Sequence, residues 1–243
     1  MTHALLNNVD HHDLRVITRG AADYGDAVHQ VLVFPTEFEA AAREFPIILR
    51  PDAEGRLRPV ALLGLTDGEN LFLDPVDGWQ SRHVPLALQR GPFSIAAPEA
   101  EGAEPMIRID LADPRVSRSE GEAVFLPHGG QTRYLERISN VLRAIYLGHD
   151  LLDPLVEALT KAGLLRQVNL ELRTAEDEII AISNAVTIDR ERLAALSGAE
   201  LEALHRPGFL HSAFFIAASL DNLQRLVDLR SARRAALSEK VPA

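Results

Sequence analysis

The chain has 243 residues, 47% of them hydrophobic and 25% charged, with a formal net charge of −10. That apolar content offsets the entropy of ordering a core, which excludes a disordered chain, and the acidic balance argues against general nucleic-acid binding, which needs a basic face for phosphate. With no cysteine, disulfides, iron–sulfur clusters and thiolate zinc sites are excluded.

Met1 to Asp10 reads MTHALLNNVD, which has neither a basic start nor an apolar stretch, so no Sec signal peptide is expected. No window approaches the roughly 20 apolar residues that cross a bilayer. The expectation is a cytoplasmic protein without membrane insertion, with export by a signal-peptide-independent route left open.

Val28 to Phe34 is mostly β-branched and apolar, which predicts a strand. Thr36 and Glu39 then have the spacing of a capping box, opening a helix with Phe38, Ala41, Ala42 and Phe45 on one face. Glu37 and Glu39 are explained there by capping and the helix dipole. Pro46 stops the helix. Ile47 to Arg50 and Arg58 to Leu65 read as a hairpin across the Pro51 to Gly55 turn. Leu71 to Leu73 reads as a short strand between two turns, the second at Asp74 to Gly78, and Trp79, the single tryptophan, follows it. Prolines punctuate the next stretch, where Met106 to Leu111 is a strand and Ala97 to Glu104 a surface loop. Ala123 to Leu126 ends the β-rich part, and His128-Gly129-Gly130 marks a corner.

Beyond it, Thr132 is a helix cap, with Leu135, Ile138, Leu142 and Ile145 on one face. Asp150 to Gly163 gives a second helix ending at glycine. Val168, Leu170 and Leu172 alternate with polar residues as a strand, with Ile179 to Ile188 as its partner. Ser197 and Glu200 form another capping box, Pro207-Gly208 breaks that helix, and one last helix runs from Phe209 past Leu229. Arg233 and Arg234 near its end suit the helix dipole. All but two of the 25 basic residues are arginine, and they read as a scattered, solvated set. The whole predicts one α+β unit over 1–243, with short antiparallel strands and one capped helix over 1–130 and a mostly helical half over 131–243.

The run from Val31 to Phe93 carries an ordered set of local patterns. They are Glu37-Phe38, Phe45-Pro46-Ile47, Ala61 to Leu65 (ALLGL), Asn70-Leu71-Phe72, Gly78-Trp79 and Pro92-Phe93. In this order they resemble the SapC family of bacterial proteins. His12 to Val16 resembles that family's opening strand, and Leu193 to Leu204 and Ser219 to Leu223 its helical tail. The family takes its name from a surface-layer-associated protein and has no established catalytic residues to carry over. The resemblance implies an accessory role in bacterial surface or uptake systems, with a surface-layer component as a further reading.

Among candidate sites, His11-His12-Asp13 contains a His-x-Asp pattern that, placed on a strand with a third ligand from His83, His128 or His149, would suit the facial triad of an iron-dependent oxygenase. A solvated histidine pair near the chain start is the favoured reading of the same residues, and no metal or cofactor is expected. Gly129-Gly130 reads as a tight turn in preference to an anion nest. No nucleophile elbow, phosphate loop, dinucleotide fingerprint or zinc-protease helix is present. Asn70, Phe72, Trp79, Arg82 and His83 gather an aromatic and polar groups at a turn, the composition of a groove for a protein or peptide partner. The apolar face of the last helix reads as core, with a homodimer seam as the alternative. The expectation is a non-catalytic accessory protein that binds a protein or peptide through Asn70 to His83.

Overall fold

A computed structural model describes residues 3–96, 106–174 and 177–239. The surface loop expected at Ala97 to Glu104 lies outside the described residues. Eight strands and two helices run in order as β1 (His3–Leu5), β2 (Arg15–Val16), β3 (Gln30–Leu32), α1 (Phe38–Ala42), β4 (Ile47–Pro51), β5 (Leu57–Leu62), β6 (Leu73–Asp74), β7 (Gly78–Trp79), α2 (Leu86–Gln89) and β8 (Phe93–Ala96). They are followed by β9 (Met106–Asp110), β10 (Val116–Ser117), β11 (Glu122–Ala123), α3 (Arg133–Asp150), α4 (Leu152–Lys161), β12 (Leu165–Arg173) and β13 (Ile179–Ile188). Helices α5 (Arg190–Ala194), α6 (Gly198–His205), α7 (Phe209–Ser219) and α8 (Leu223–Glu239) complete the described chain. The fold is α+β, with antiparallel pairing in every sheet.

The principal sheet has five strands in the order β12-β13-β4-β5-β3. It joins the two parts of the sequence, because β13 sets Val186 opposite Leu49 of β4. The alternation of Val168, Leu170 and Leu172 produces β12, and its partner β13 carries Ile180, Ile182, Ala185 and Ile188 into the core. Two smaller sheets, β1-β9-β8 and β10-β2-β11, pack with α3 around a second core of Leu14, Val16, Phe93, Ile109, Tyr134 and Leu135. The larger core lies among α1, the principal sheet, α4, α7 and α8.

Several local signals act as the sequence predicts. Thr132 accepts the Leu135 N–H at 3.3 Å and opens α3. Ser197 and Glu200 close a reciprocal capping box on α6, and the hydrogen bonds from Ser197 and Arg192 hold the Glu200 carboxyl down to about 2.

The box expected at Thr36 is displaced. Pro35, with no N–H to lose, starts a turn of 3-10 helix over Pro35–Glu37, so the chain is already helical at Thr36. The Thr36 hydroxyl donates instead to the Ala144 carbonyl of α3 at 3.0 Å. The single last helix is also two helices. A 3-10 turn at Leu220–Asn222 separates α7 from α8, where the fully buried Ser219 hydroxyl accepts the Ile47 N–H at 2.8 Å and donates to the Ile216 carbonyl at 2.7 Å. Asn222 then donates to the Ala42 carbonyl at 2.8 Å. The corner therefore ties to the strand that follows Pro46, a partnership between distant residues that helical periodicity does not record.

Helix α8 is laced down by arginines. Arg225 pairs with Glu44 at 2.8 Å, Arg234 with Glu178 at 2.7 Å, and buried Arg230 lies 3.4 Å from Glu178 and 3.7 Å from Glu69. Arg233 donates to the carbonyls of Asn70 at 2.8 Å, Leu71 at 3.3 Å and Leu73 at 2.7 Å. Arg233 thus holds a turn far away in sequence, where the helix dipole alone was expected to explain it.

Candidate functional site: a cleft beside Trp79

The turn before Trp79 is built from inside. Asn70 is buried; its amide donates to the Asp26 carbonyl at 2.7 Å while its carbonyl oxygen accepts the Phe72 N–H at 3.0 Å. Arg233 donates to the Asn70 and Leu73 carbonyls of the same turn, adding to the Leu73 N–H that reaches the Asn70 carbonyl at 3.3 Å. Phe72 points into the larger core, edge-on to Phe45 with ring centroids 4.8 Å apart. Of the expected Leu71 to Leu73 strand only Leu73 pairs, with Trp79, and Asp74 beyond it pairs with Gly78. Asp74 accepts the N–H groups of Val76 at 2.8 Å and Asp77 at 2.9 Å, which tightens the connecting turn. Gly78 has φ of 72°, a conformation that disfavours a side chain.

This turn delivers Trp79 half-buried to the surface, against Gly20. A Cβ at Gly20 would lie 2.4 Å from the indole Cδ1, so only glycine allows the approach. Beyond the indole is a cleft of about 150 Å³, whose walls include Trp79, Asp26, Arg19, Arg115, Tyr134 and Arg137. Asp26 is 4% exposed. Its Oδ2 accepts the Ala21 N–H at 3.0 Å, and Arg115 stands 3.9 Å from Oδ1 while being held by Asp113 at 3.0 Å. The Arg137 guanidinium lies 5.4 Å from the centre of the Tyr134 ring.

Burial pushes the Asp26 carboxyl above its ordinary value, against the pull of the Ala21 N–H and Arg115. A raised folded value means that folding favours the neutral acid. That contribution is complete below the unfolded value of 3.8 and is lost as pH rises through the folded value. Asp26→Asn removes the ionised form and keeps an acceptor for Ala21, so it should raise the melting temperature near pH 7 and bring no gain below about pH 3.5. Thermal melts of both proteins across that range check this; a lower melting temperature for the variant near neutrality would contradict it.

The five residues singled out from the sequence do not form one surface. Trp79 walls the cleft, Arg82 is exposed but is not one of its walls, and Asn70 and Phe72 are buried. His83 turns to Glu37, its Nε2 lying 2.8 Å from Oε2. Glu37 is buried and also accepts the N–H groups of Phe34 at 3.2 Å and Leu86 at 2.9 Å, so it joins α1 to the chain leading into α2 and does more than cap. Glu39 is exposed and pairs with Arg43. Asp26, Arg115 and Tyr134 were not singled out; they come from distant segments, and only folding brings them to Trp79.

His11 and Asp13 sit in a turn, not on the strand that the facial-triad reading required. His11 is buried and its Nδ1 accepts the Asn7 N–H at 3.1 Å, whereas Asp13 is exposed and pairs with Arg118. No group of three or more His, Cys, Asp or Glu placed to hold a metal occurs among the described residues. Gly129 and Gly130, with φ of 82° and 87°, form a turn closed by the Leu126 N–H on the Gly130 carbonyl at 3.1 Å.

A family model described as SapC matches residues 6–226. The chain belongs to the SapC family. No curated protein and no solved structure matches it. In this SapC member the residues that carried the resemblance are largely interior. Phe45, Ile47, Ala61 to Leu63, Phe72 and Phe93 are buried at 1% exposure or less. Gly64 of the ALLGL run fits because a Cβ there would meet the Glu69 carbonyl oxygen at 2.2 Å. Of that set, Trp79 lines the cleft beside Gly20, and Asn70 lines a neighbouring one. Among the described residues no helix is long and apolar enough to cross a membrane.

Proposed function

We propose that this SapC protein is a non-catalytic accessory protein that recognises a protein or peptide partner in a bacterial surface or uptake system, with Trp79 as the anchor of the contact. The observation that carries this reading is the cleft on which Trp79 stands. At about 150 Å³ it is smaller than the roughly 300–1,000 Å³ typical of small-molecule and cofactor sites. It is the size to receive one side chain. A half-buried indole lining a cleft together with a desolvated carboxylate and guanidinium groups matches the aromatic and arginine anchors that dominate interfaces. Arg82 and His83 lie on the chain leading away from Trp79, and Asn70 and Phe72 act behind it as the framework that fixes the turn. The whole chain is read as one functional unit, since both parts of the sequence supply walls of the cleft.

Trp79→Ala should weaken capture of the native partner by about tenfold or more, the scale of an interface hot spot, with the melting temperature kept close to that of the parent. Because Trp79 is the single tryptophan, its emission reports on the cleft. Partners captured from native lysate, once identified, should shift that emission on titration. Binding that leaves both the emission and the Trp79→Ala affinity unchanged would remove the cleft from the contact, and a variant that fails to fold would make Trp79 core.

A further inference from the structure

A second cavity, of about 420 Å³, lies between the β4–β5 hairpin and the junction of α3 with α4. Its wall is unusually rich in arginine. Arg50 and Arg58 are directly opposed in the β4–β5 register, a placement of like charges that disfavours pairing unless something neutralises them. Arg58 is neutralised, by Asp52 at 3.0 Å and by Asp153 at 2.5 Å. Arg56 is paired with Asp52 at 3.2 Å and Glu54 at 3.0 Å. Arg50 differs. Among the described residues it has no carboxylate partner; its Nη2 donates to the Ser183 carbonyl at 3.2 Å, and its Nε is buried with no hydrogen bond. On the same wall the Gln30 side-chain oxygen is also buried without a partner. Burial pulls the Arg50 guanidinium below its usual value, the direction expected for a charge removed from water without an opposite one beside it.

We propose that this cavity binds a small monoanionic carboxylate, held by the guanidinium of Arg50. A carboxylate fits the planar donor fork of arginine in two-point fashion. It also fits the charge of the wall better than a phosphate does. Asp52, Asp153 and Glu54 answer Arg56 and Arg58, which leaves Arg50 as the cation on this wall with no carboxylate partner among the described residues. A single negative charge meets it, whereas a dianion is repelled by the two aspartates. Gln30, with an unmet acceptor, favours a carboxylate with an N–H group next to it. The C-terminal residue of a peptide has that chemistry, and a free amino acid presents the same carboxylate and N–H but as a zwitterion without net charge.

Calorimetric titration of the full chain tests this with four probes: glycine, N-acetylglycine, N-acetylglycinamide and inorganic phosphate. Saturable binding of N-acetylglycine is expected, with loss of at least tenfold for N-acetylglycinamide and for phosphate. Glycine binding as well as N-acetylglycine points to a free amino acid; binding of the acetylated form alone points to a peptide end. Arg50→Met should weaken N-acetylglycine at least tenfold, and Arg206→Met, at an exposed residue paired with Glu202, should leave it unchanged. The absence of saturable binding, phosphate binding as tightly as N-acetylglycine, or equal affinity in Arg50→Met would each overturn the proposal. If Arg50→Met does not fold, the Nε–H resonance of Arg50 in the parent protein decides: it shifts on adding N-acetylglycine, or the proposal fails.

Discussion

Phe72→Ala is expected to destabilise the protein by about 4 kcal/mol, within the range for truncating a buried phenylalanine. Phe72 is 1% exposed, packs edge-on against Phe45 with rings at 90°, and carries the Arg225 guanidinium 5.2 Å from its ring centre. Phe45 is itself fully buried, and Arg225 is tied to Glu44 at 2.8 Å. Neither neighbour is free to fill the vacated volume, so the cavity persists and the cost stays high. Phe72→Leu keeps most of that volume and should cost about 1–2 kcal/mol. Urea unfolding of the three proteins measures both differences, and a loss under about 1 kcal/mol for Phe72→Ala would mean that this packing is not what holds the turn. The same result governs how binding data are read. Weakened partner capture by Phe72→Ala would follow from a loosened turn under Trp79, not from a lost contact.

Glu37→Ala should cost about 3–5 kcal/mol, because one carboxylate satisfies three groups. Its removal leaves the Phe34 and Leu86 N–H groups and the His83 ring without their acceptor in a region shielded from water. Glu37→Gln retains shape and one acceptor oxygen, so it should lose less than half as much. Denaturant unfolding gives both values. Equal losses for alanine and glutamine would show that charge, not the count of hydrogen bonds, is what Glu37 supplies. Since the carboxylate joins α1 to the segment entering α2, the alanine variant should also loosen that segment, visible as faster amide exchange at Leu86 than at Leu135.

Most of the secondary structure was legible because its causes are local. Thr132 and the Ser197–Glu200 pair cap helices through groups three residues apart, and the β4–β5 hairpin follows from apolar runs on either side of Pro51 to Gly55. The α+β class follows from those elements. What was not legible depends on partners far along the chain. Thr36 looked like a cap, yet its hydroxyl goes to Ala144. Ser219 looked like part of a continuous helix, yet its hydroxyl meets Ile47. The site divides in the same way. Trp79 was found because an aromatic after a glycine turn is conspicuous, while Asp26, Arg115 and Tyr134 carry no signal until the fold assembles them. Asn70 and Phe72 drew notice through the same turn, but the turn uses them inwardly.

The place of β13 beside β4 has a consequence for biosynthesis. As the nascent chain leaves the ribosome, β4 and β5 close their hairpin early, but Leu49 waits for Val186 before its other flank is covered. During that interval an apolar strand presents open backbone groups to any neighbouring chain, and the distant pairing that ends it is slow to form. Holdase chaperones should therefore engage stalled or truncated products that stop before β13 and release those that extend past it.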